Sequence, residues 1–394
     1  MSEWKKVKLG EICERVTSGG TPKANVSSYY NPPTIPWLKT KEVNYCRITE
    51  TENYISEEGL KNSSAKLISP NSVIIAMYGQ GDTAGRVAIN KIPLATNQAC
   101  CNLTIDKSKA DYEFIYYQLC TLYDKLVSLK AGAAQPNLNA RIIKNLEIIM
   151  PSLPIQYCIA NILSRYDSLI ENYRKQIKLL EEAAQRLYKE WFIDLRFPGH
   201  ENTKIVDGVP EGWEKKKLHE IAEVVMGSSP KSEFYNNDKQ GLPFHQGVGS
   251  YGTRFVDDNV YSTSITRLAE PNSILFSVRA PVGRLNITKN KIIIGRGLAA
   301  MNHKDGFQSF LFYMLKERFF MDNIIGNGSI FASISKVELL DQEFIVPPMI
   351  TIMAFESLSS KLDKKIQGVD TQLRLLTEAR DRLLPKLMSG EIEI

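Results

Sequence analysis

The 394-residue chain has little of what metalloproteins, disulfide-rich proteins and membrane proteins require. Its four histidines are scattered, and its six cysteines include no pair with the spacing of a zinc site, so we expect neither a metal site nor a disulfide framework. No apolar run approaches the roughly 18 residues of a membrane span, and the first residues do not resemble a secretory signal. Reduced cysteines are typical of the cytosol. These absences predict a cytoplasmic protein without a membrane partner.

Sequence motifs of nucleotide-dependent enzymes are absent or misplaced. There is no Walker P-loop, which predicts that ATP-driven work is not encoded in this chain. Residues 247–252 fit the glycine spacing of a dinucleotide site, but Pro243 and His245 precede them where a hydrophobic strand is needed, and no helix pattern follows. These glycines therefore predict a flexible loop. No grouping of Ser, His and Asp or of Cys and His stands out as a catalytic centre, and we expect no cofactor in this chain.

One tetrapeptide keeps an enzymatic alternative open. Residues 31–34 resemble the Asn-Pro-Pro-aromatic motif of adenine methyltransferases, in which the aromatic ring stacks on an extruded base. Thr34 takes the aromatic position here, and the residues before the motif contain no glycine-rich cofactor loop. We therefore favour a loop that precedes a strand beginning at Ile35, and keep a free-standing adenine methyltransferase as an alternative.

What the chain does contain is an internal repeat. Three blocks of the first half recur in the second half in the same order. Trp4, Leu9 and Ile12 recur as Trp213, Leu218 and Ile221. Residues 70–74 recur as residues 271–275, and residues 114–117 recur as residues 310–313. Because the order is kept while the intervening lengths change, we infer two copies of one domain with different loops. Such a chain presents two surfaces and is typical of proteins that contact an extended or two-part target.

Each copy is followed by apolar residues at three- and four-residue spacing, which predicts a long helix. The first would run from residue 155 to residue 191 and be about 55 Å long. Both stripes contain one extra four-residue step at a matching place. The positions predicted to form a helix-pair or partner interface are Ile159, Ile162, Tyr166, Leu169, Tyr173, Ile177, Leu180 and Leu187 in the first helix and Leu358, Leu362, Ile366, Val369, Leu373, Leu376 and Leu383 in the second.

The two helices are predicted to pair with each other, because one small domain cannot cover so long a stripe. A parallel pair would place both domains at one end, and an antiparallel pair would place one at each end. The linker of residues 197–212 would be nearly fully extended if it returned over about 55 Å, so we favour the antiparallel pair. The predicted fold is mixed α+β, with two similar globular domains separated by two long helices that form an antiparallel coiled coil with pseudo-two-fold symmetry. The predicted segments are domain 1–153, helix and linker 154–205, domain 206–348 and helix 349–394.

Loops rich in hydrogen-bond donors occupy matching points of the two copies. Arg, Gln and Asn make the bidentate bonds that distinguish guanine and adenine edges, and nearby glycines allow close approach to a duplex. A mildly basic chain, with a net charge of +5 and a pI near 8.7, suits a polyanion without requiring one. The predicted DNA contacts are Lys39, Thr40, Lys41, Gln80, Arg86, Gln98, Gln135 and Asn137 in the first copy and His245, Gln246, Arg279, Arg284, Arg296, Ser329 and Ser333 in the second.

At this point the chain resembles the DNA-specificity subunits of type I restriction–modification enzymes over essentially its full length. The resemblance rests on the two openings at Trp4 and Trp213, on residues 154–163 and 187–192, and on the ending at residues 383–391. It implies two target-recognition domains that each bind half of a split, asymmetric site in double-stranded DNA, with the helices acting as a ruler.

The resemblance also implies partners. Two modification subunits would dock on the helices and bring S-adenosylmethionine and the adenine-methylating site. Two restriction subunits would add Mg- and ATP-dependent translocation and cleavage. The chain itself would then be a non-catalytic recognition subunit. A coiled-coil adaptor of a related DNA-modification complex is a further alternative.

Overall fold

Both long helices that the periodicity predicts are present, together with many short strands. The structure, a computed structural model, describes residues 4–130, 137–319 and 333–394. The chain divides into two compact units. The first unit contains Met1–Asn172 and Gln372–Ile394, and the second contains Tyr173–Thr371.

The first unit is built on short strands and a few helices. Its strands are β1 (Lys5–Lys8), β2 (Cys13–Ser18), β3 (Ile35–Leu38), β4 (Cys46–Ile48), β5 (Tyr54–Ile55), β6 (Leu67–Ile68), β7 (Val73–Ala76), β8 (Val87–Asn90), β9 (Leu94–Thr96), β10 (Cys100–Ile105) and β11 (Glu147–Met150). Its helices are α1 (Glu57–Lys61), α2 (Tyr112–Thr121), α3 (Tyr123–Ser128), α4 (Ala140–Lys144) and the first part of α5 (Leu153–Phe192).

Two sheets organise this unit. One has the strand order β2-β10-β7-β8-β4, and the other has the order β5-β3-β9-β6, while β1 pairs with β11. Strands β7 and β8 are buried at every position, which explains why Val73–Ala76 is a continuous apolar run rather than an alternating one. The apolar residues of segment 111–129 have helical spacing and predict one helix, but the segment forms two helices, because Leu122 leaves the helical region with φ −100° and ψ 15°.

The second unit repeats this plan. Its strands are β12 (Ile205–Val206), β13 (Val209–Pro210), β14 (Glu214–Lys217), β15 (Ala222–Met226), β16 (Tyr235–Asn236), β17 (Leu242–His245), β18 (Tyr261–Ser262), β19 (Leu268–Ala269), β20 (Ile274–Ser277), β21 (Leu285–Ile287), β22 (Ile292–Ile294), β23 (Leu298–His303) and β24 (Glu343–Val346). Its helices are α6 (Leu218–Ile221), α7 (Gln308–Phe319), α8 (Lys336–Leu340), the second part of α5 and the first part of α9 (Met349–Ser389).

The sheets of the second unit match those of the first. The order β15-β23-β20-β21 corresponds to β2-β10-β7-β8, and β17, β22 and β19 correspond to β3, β9 and β6. In both units the central pair of the second sheet is parallel and its outer strand is antiparallel. The repeat seen in the sequence is therefore a repeat of topology.

The long helices pair in the antiparallel sense that the sequence favours. In the first unit, Ile159 and Leu163 near the start of α5 share one core with Leu387 and Met388 near the end of α9. In the second unit, the end of α5 and the start of α9 share another core. Helix α5 has 40 residues, with Pro154 in its first turn, where a missing N–H costs no helical hydrogen bond.

The buried stripe of each helix is shifted from the predicted one at one place. Leu169 is 46% exposed and Leu358 is 43% exposed, so neither is a core position of the helix pair in this chain. The buried positions are the following residues, Ile170 and Ser359. Of the other predicted positions, Ile159, Ile177, Ile366 and Val369 are buried, and the rest are partly buried. Alternating steps of three and four residues average about 3.5 residues per turn, whereas a helix has about 3.6. Positions chosen by that alternation therefore move gradually around the helix, away from the face that contacts the other helix.

Candidate nucleic-acid interface

Sheet register brings the donor-rich loops of each copy to one edge. In the first unit Cys101 pairs with Ser18 and Cys100 pairs with Ala76, so the ends of β2 and β7 lie beside the start of β10. In the second unit Ala299 pairs with Met226, so the end of β15 lies beside the start of β23 in the equivalent way. The loops after β2 and β7 and before β10, and their counterparts after β15 and β20 and before β23, therefore leave their sheets at equivalent edges.

The parallel pair in the second sheet adds a further loop to this edge. Leu38 pairs with Thr96, and the Asn97 amide donates to the Leu38 carbonyl at 2.9 Å. In the second unit His245 pairs with Ile294, and the Gly295 amide donates to the His245 carbonyl at 2.8 Å. Lys39 therefore lies beside the loop of Gln98, and Gln246 lies beside the loop of Arg296.

Three of the residues predicted at the first edge are exposed. Gln80, Lys41 and Gln98 all face solvent. Gln98 accepts a hydrogen bond from the Thr21 hydroxyl, and Lys41 pairs with Glu52. Exposed amides at this edge can turn to meet base edges without breaking the core.

The other two predicted cations of the first unit, Lys39 and Arg86, also have partners. The Lys39 ammonium donates to the Asn53 side chain at 2.9 Å and lies 5.1 Å from the centre of the Trp37 ring. The Arg86 guanidinium donates to Asp82 at 2.5 Å and to Asn44 at 3.0 Å. Thr40 is partly buried in the turn that follows Lys39. These contacts shape the loops, and a DNA contact by Lys39 or Arg86 would have to exchange one of them.

The second edge borders a cleft of about 1270 Å³. Gln246 and Arg296 line it together with Ser229 and Lys231, and both of the first two are exposed. Gln246 accepts from the Ser229 hydroxyl at 2.7 Å, and the Arg296 amide donates to the same hydroxyl at 3.1 Å. Within residues 4–130, 137–319 and 333–394, no ion pair or side-chain hydrogen bond engages the Arg296 guanidinium. It is therefore free to meet a guanine edge or a phosphate.

A second group of predicted residues lies on and beside the hairpin after β20. Arg279 is exposed and forms an isolated bridge with Ser333. Arg284 is partly buried and lines a cavity of about 340 Å³. In the first unit Asn137 is partly buried, and the Leu138 amide next to it donates to the Met77 carbonyl at 3.0 Å. Gln135 and Ser329 lie outside the described residues.

His245 corrects the sequence prediction, because its side chain is fully buried. Its Nδ1 is 2.7 Å from the Ser250 hydroxyl, and its Nε2 is 3.0 Å from an Asp258 carboxylate oxygen. The loop between His245 and Ser250 thus closes on the imidazole. A buried ring in this position holds the loop of Gln246 rather than contacting a base itself.

The same three side chains bring serine, histidine and aspartate together, which the sequence did not reveal. In a serine hydrolase the serine faces Nε2 of the histidine and the aspartate faces Nδ1, whereas here Ser250 faces Nδ1 and Asp258 faces Nε2. Here the Ser250 hydroxyl also lies 3.3 Å from the Gly247 carbonyl, within the same turn. This constellation anchors a loop.

The other sequence motifs fall in loops. Residues 31–34 form a loop before β3, as predicted. Residues 247–252 do follow a strand, β17, contrary to the prediction, but a single 3-10 turn at Val248–Ser250 follows in place of a helix. In the part of the chain that the structure describes, no group of three or more metal-ligand side chains occurs, and no helix is long and apolar enough to cross a bilayer.

Sequence reasoning missed one pair of loops at these edges. Thr21, Pro22 and Lys23 in the first unit correspond to Ser229, Pro230 and Lys231 in the second. Lys23 is exposed, and Lys231 lines the cleft. The recurring hydroxyl-Pro-Lys order was a usable signal, since it follows the repeated Trp4 and Trp213 blocks at nearly the same distance.

Fold and edge together define a class of protein. Each unit carries a mixed sheet domain with one donor-rich edge, and each packs on segments of two long antiparallel helices. The edges have the same framework and different side chains. This arrangement is typical of a recognition protein with two similar domains that differ in their loops.

Comparison with known proteins identifies the family. Residues 1–182 and 210–366 match the type I restriction modification DNA specificity domain. The chain is 30% identical over 415 aligned positions to the type I restriction enzyme MjaIX specificity subunit of Methanocaldococcus jannaschii, covering 100% of this chain and 94% of that protein. The putative MjaX specificity subunit of the same organism is 28% identical, with the same coverage of both chains.

A solved structure supports the fold. The type I restriction–modification S subunit from M. genitalium has a TM-score of 0.63 and 18% sequence identity, over 98% of this chain and 96% of that one. The chain therefore belongs to the type I restriction–modification DNA specificity family, which confirms the resemblance seen in its sequence. Members of this family recognise DNA and do not catalyse a reaction themselves.

Proposed function

We propose that this specificity subunit recognises a split, asymmetric site in double-stranded DNA, with one half bound by each globular domain. The observation that carries the proposal is the pair of equivalent edges with unlike side chains. By strand register, Gln98 and Arg296 occupy equivalent positions, and so do Lys39 and Gln246. Glutamine suits adenine and arginine suits guanine, so equal frameworks with these tips would select different bases.

Within each half-site the contacts divide into two kinds. Exposed lysines near the edge, such as Lys23 and Lys231, would contact phosphates and set the register on the duplex. Gln80, Gln98, Gln246, Arg279 and Arg296 would contact base edges. The remaining predicted contacts with internal partners, among them Lys39 and Arg86, would act by exchange of those partners.

The helices would set the distance between the half-sites and dock the partner subunits. Exposed apolar residues on α5 and α9, among them Leu169 and Leu358, fit a partner-facing role better than a core role. We infer two modification subunits, which bind S-adenosylmethionine and extrude one adenine per half-site, and two restriction subunits that use Mg and ATP. The assembly would act on DNA in the cytoplasm. We propose that the two recognition domains comprise residues 1–153 and 206–348, and that residues 154–205 and 349–394 form the helical segments.

Methylome sequencing tests the proposal directly. Cells that express the chain with its modification subunit should gain methyladenine in one motif made of two short, different sequences separated by a constant gap. Exchange of residues 206–348 for the corresponding domain of a relative should change one half of the motif only. A contiguous motif, or a change in both halves, would contradict the two-domain proposal.

A binding experiment separates the alternatives. A free-standing methyltransferase would bind S-adenosylmethionine as the purified chain, and calorimetry with the chain alone should show no such binding. A coiled-coil adaptor would bind the modification subunit without adding DNA specificity. Electrophoretic mobility shifts with randomised duplexes, with and without the modification subunit, should instead show sequence-selective binding.

A further inference from the structure

A buried arginine ties the recognition domain of the first unit to its helix segments. Arg47 extends from β4, and only 9% of its side chain is exposed. Its guanidinium donates to Asp167 on α5 at 2.9 Å and to the Tyr117 hydroxyl at 2.8 Å. Asp167 also accepts from Tyr117 at 2.6 Å and from Arg380 on α9 at 2.9 Å. Arg47 also pairs with Glu113 of its own domain at 2.6 Å. It therefore contacts α5 directly and is linked to α9 through Asp167.

The second unit contains a matching contact. Arg254, whose side chain is 2% exposed, donates to Asp363 on α9 at 2.7 Å and lies 3.7 Å from Glu181 on α5. Tyr313 donates to the same Asp363 oxygen at 2.7 Å. The centre of the Phe312 ring is 3.5 Å from the Arg254 guanidinium carbon. Both helices are here reached from one buried cation.

The two contacts share their helical part and differ in their sheet part. Tyr117 and Asp167 recur as Tyr313 and Asp363 at one constant offset in the repeat. The arginines do not obey this offset. Arg47 pairs with Ile89, whereas the equivalent Ile287 pairs with Phe255, so Arg254 reaches its tyrosine and aspartate from one residue earlier. The two arginines thus lie at different positions of the repeat and still contact the equivalent tyrosine and aspartate.

Such a contact fixes an angle as well as a distance. A guanidinium has a planar, rigid fork of donors, and these two bind carboxylate and phenol oxygens away from water. Rotation of the domain on its helices would separate Arg254 from Asp363, which is strongly unfavourable for a buried charge. It would also separate Arg47 from Asp167 and leave it only Glu113, of its own domain, as an ion-pair partner. Exposed surface pairs place no such restraint on orientation.

We propose that Arg47 and Arg254 are positioning residues that lock each recognition domain at one angle on the helix segments of its own unit and so restrict the gap length that the subunit accepts. This inference rests on the proposed recognition of a split DNA site. One base pair added to the gap moves a half-site by about 3.4 Å and rotates it by about 35°. A locked domain cannot follow that rotation, and a loosened domain can.

Gap selection measures this role separately from base recognition. The full complex with the modification subunit is given a DNA library that carries the wild-type motif with gaps from three base pairs shorter to three longer, and a second library with randomised half-sites. The test variants are Arg254→Lys, which keeps the charge but loses the fork, and Arg254→Met with Asp363→Leu, which removes both charges. The control is Lys291→Met with Glu270→Gln, an exposed ion pair of the same unit.

In both Arg254 variants, the ratio of methylation at gaps that differ by one base pair to methylation at the preferred gap should rise by about tenfold. This is the size of one base-pair mismatch penalty. The half-site bases should stay unchanged, and the control should match wild type. Arg47→Lys should broaden the gap in the same way. Unchanged gap preference, altered bases in the second half-site, or equal loss of methylation at all gaps would each overturn the positioning role. A wild-type complex that methylates no split motif would instead reject the proposed function.

Discussion

The carboxylate of Asp167 accepts a hydrogen bond from the guanidinium of Arg380, 213 residues further along the chain, at a distance of 2.9 Å. Asp167 lies on α5 and Arg380 on α9, so this bond joins the two long helices within the first unit. Burial by itself would raise the pKa of the Asp167 carboxyl, but hydrogen bonds from Arg380, Tyr117 and Arg47 together lower it below its ordinary value of 3.8. The aspartate is therefore held ionised at the junction of sheet and helices.

Asp167→Asn should destabilise the chain by about 1.5–3 kcal/mol at pH 7, because Arg47 and Arg380 each lose one charged hydrogen-bond partner and keep Glu113 and Asp381, respectively. A lowered folded-state pKa means that the unfolded chain binds the proton more tightly. The stability that Asp167 contributes is therefore present above its unfolded pKa and is lost as the pH falls through the folded pKa.

The difference between wild type and Asp167→Asn should accordingly shrink as the pH falls below about 4. Urea unfolding at pH values from 7 to 3 measures it. Glu378→Gln, at an exposed ion pair on α9, serves as the control and should show little difference from wild type at any pH. A constant penalty for Asp167→Asn across this range would show that its charge is not the cause.

Phe355→Ala should lower the free energy of unfolding by about 3–5 kcal/mol, since it empties the centre of an aromatic cluster. Phe355 is fully buried, and its ring centre lies 5.1 Å from that of Phe192 and 5.8 Å from that of Tyr188. Leu358→Ala, less than one turn away on α9 at an exposed position, should change stability by no more than about 0.5 kcal/mol. Chemical denaturation of the isolated chain compares them, and equal losses would contradict the observed stripe.

Arg296→Ala should weaken recognition of one half-site by about 1–3 kcal/mol, the discrimination that a bidentate base contact provides. Lys291→Ala is the matched control, because Lys291 precedes the strand β22 whose other end leads to Arg296. Selection from DNA with each half-site randomised in turn measures the effect. Loss at both half-sites, or an equal effect of the control, would show that Arg296 does not contact the bases of one half.

Insertion of seven residues into both long helices, after Asn172 and after Thr371, should shift the preferred gap to a longer value, by at most about three base pairs. A locked domain accepts only the longer gap whose rotation it can match. Seven residues add about 10 Å of helix and nearly restore the phase of the stripe, and each base pair spans about 3.4 Å. Insertion into α5 alone should instead impair activity, because the antiparallel partner would lose its register. Methylome sequencing reports the gap, and an unchanged gap in the double insertion would argue against the helices as a ruler.

Much of the architecture was predictable because it depends on periodicity. The limits of α5 were predicted within two residues. Apolar residues that repeat at helical spacing over such a length indicate an amphipathic helix. The positions of Leu169 and Leu358 were not, because their exposure depends on how the helical period meets a particular neighbour. The break at Leu122 also escaped prediction, since the apolar spacing continues through it.

The candidate edges were predictable as loops but not as surfaces. Matching points in the repeat identified Gln98 and Arg296, and strand register then placed them at equivalent edges. The burial of His245 could not be predicted from the sequence, because a histidine next to a glycine-rich loop has the same local pattern whether its side chain faces DNA or the core. Its role depends on Asp258, which folding brings to it.

The sequence by itself determined that there are two copies of one domain, two long amphipathic helices and two sets of donor loops, because duplication and periodicity are written along the chain. Only the tertiary structure decided which of those donors are free. It also decided that Arg47 and Arg254 reach Asp167 and Asp363, since a buried ion pair depends on the meeting of segments that are distant in sequence. Local pattern specifies the elements, and long-range packing specifies how each domain is held.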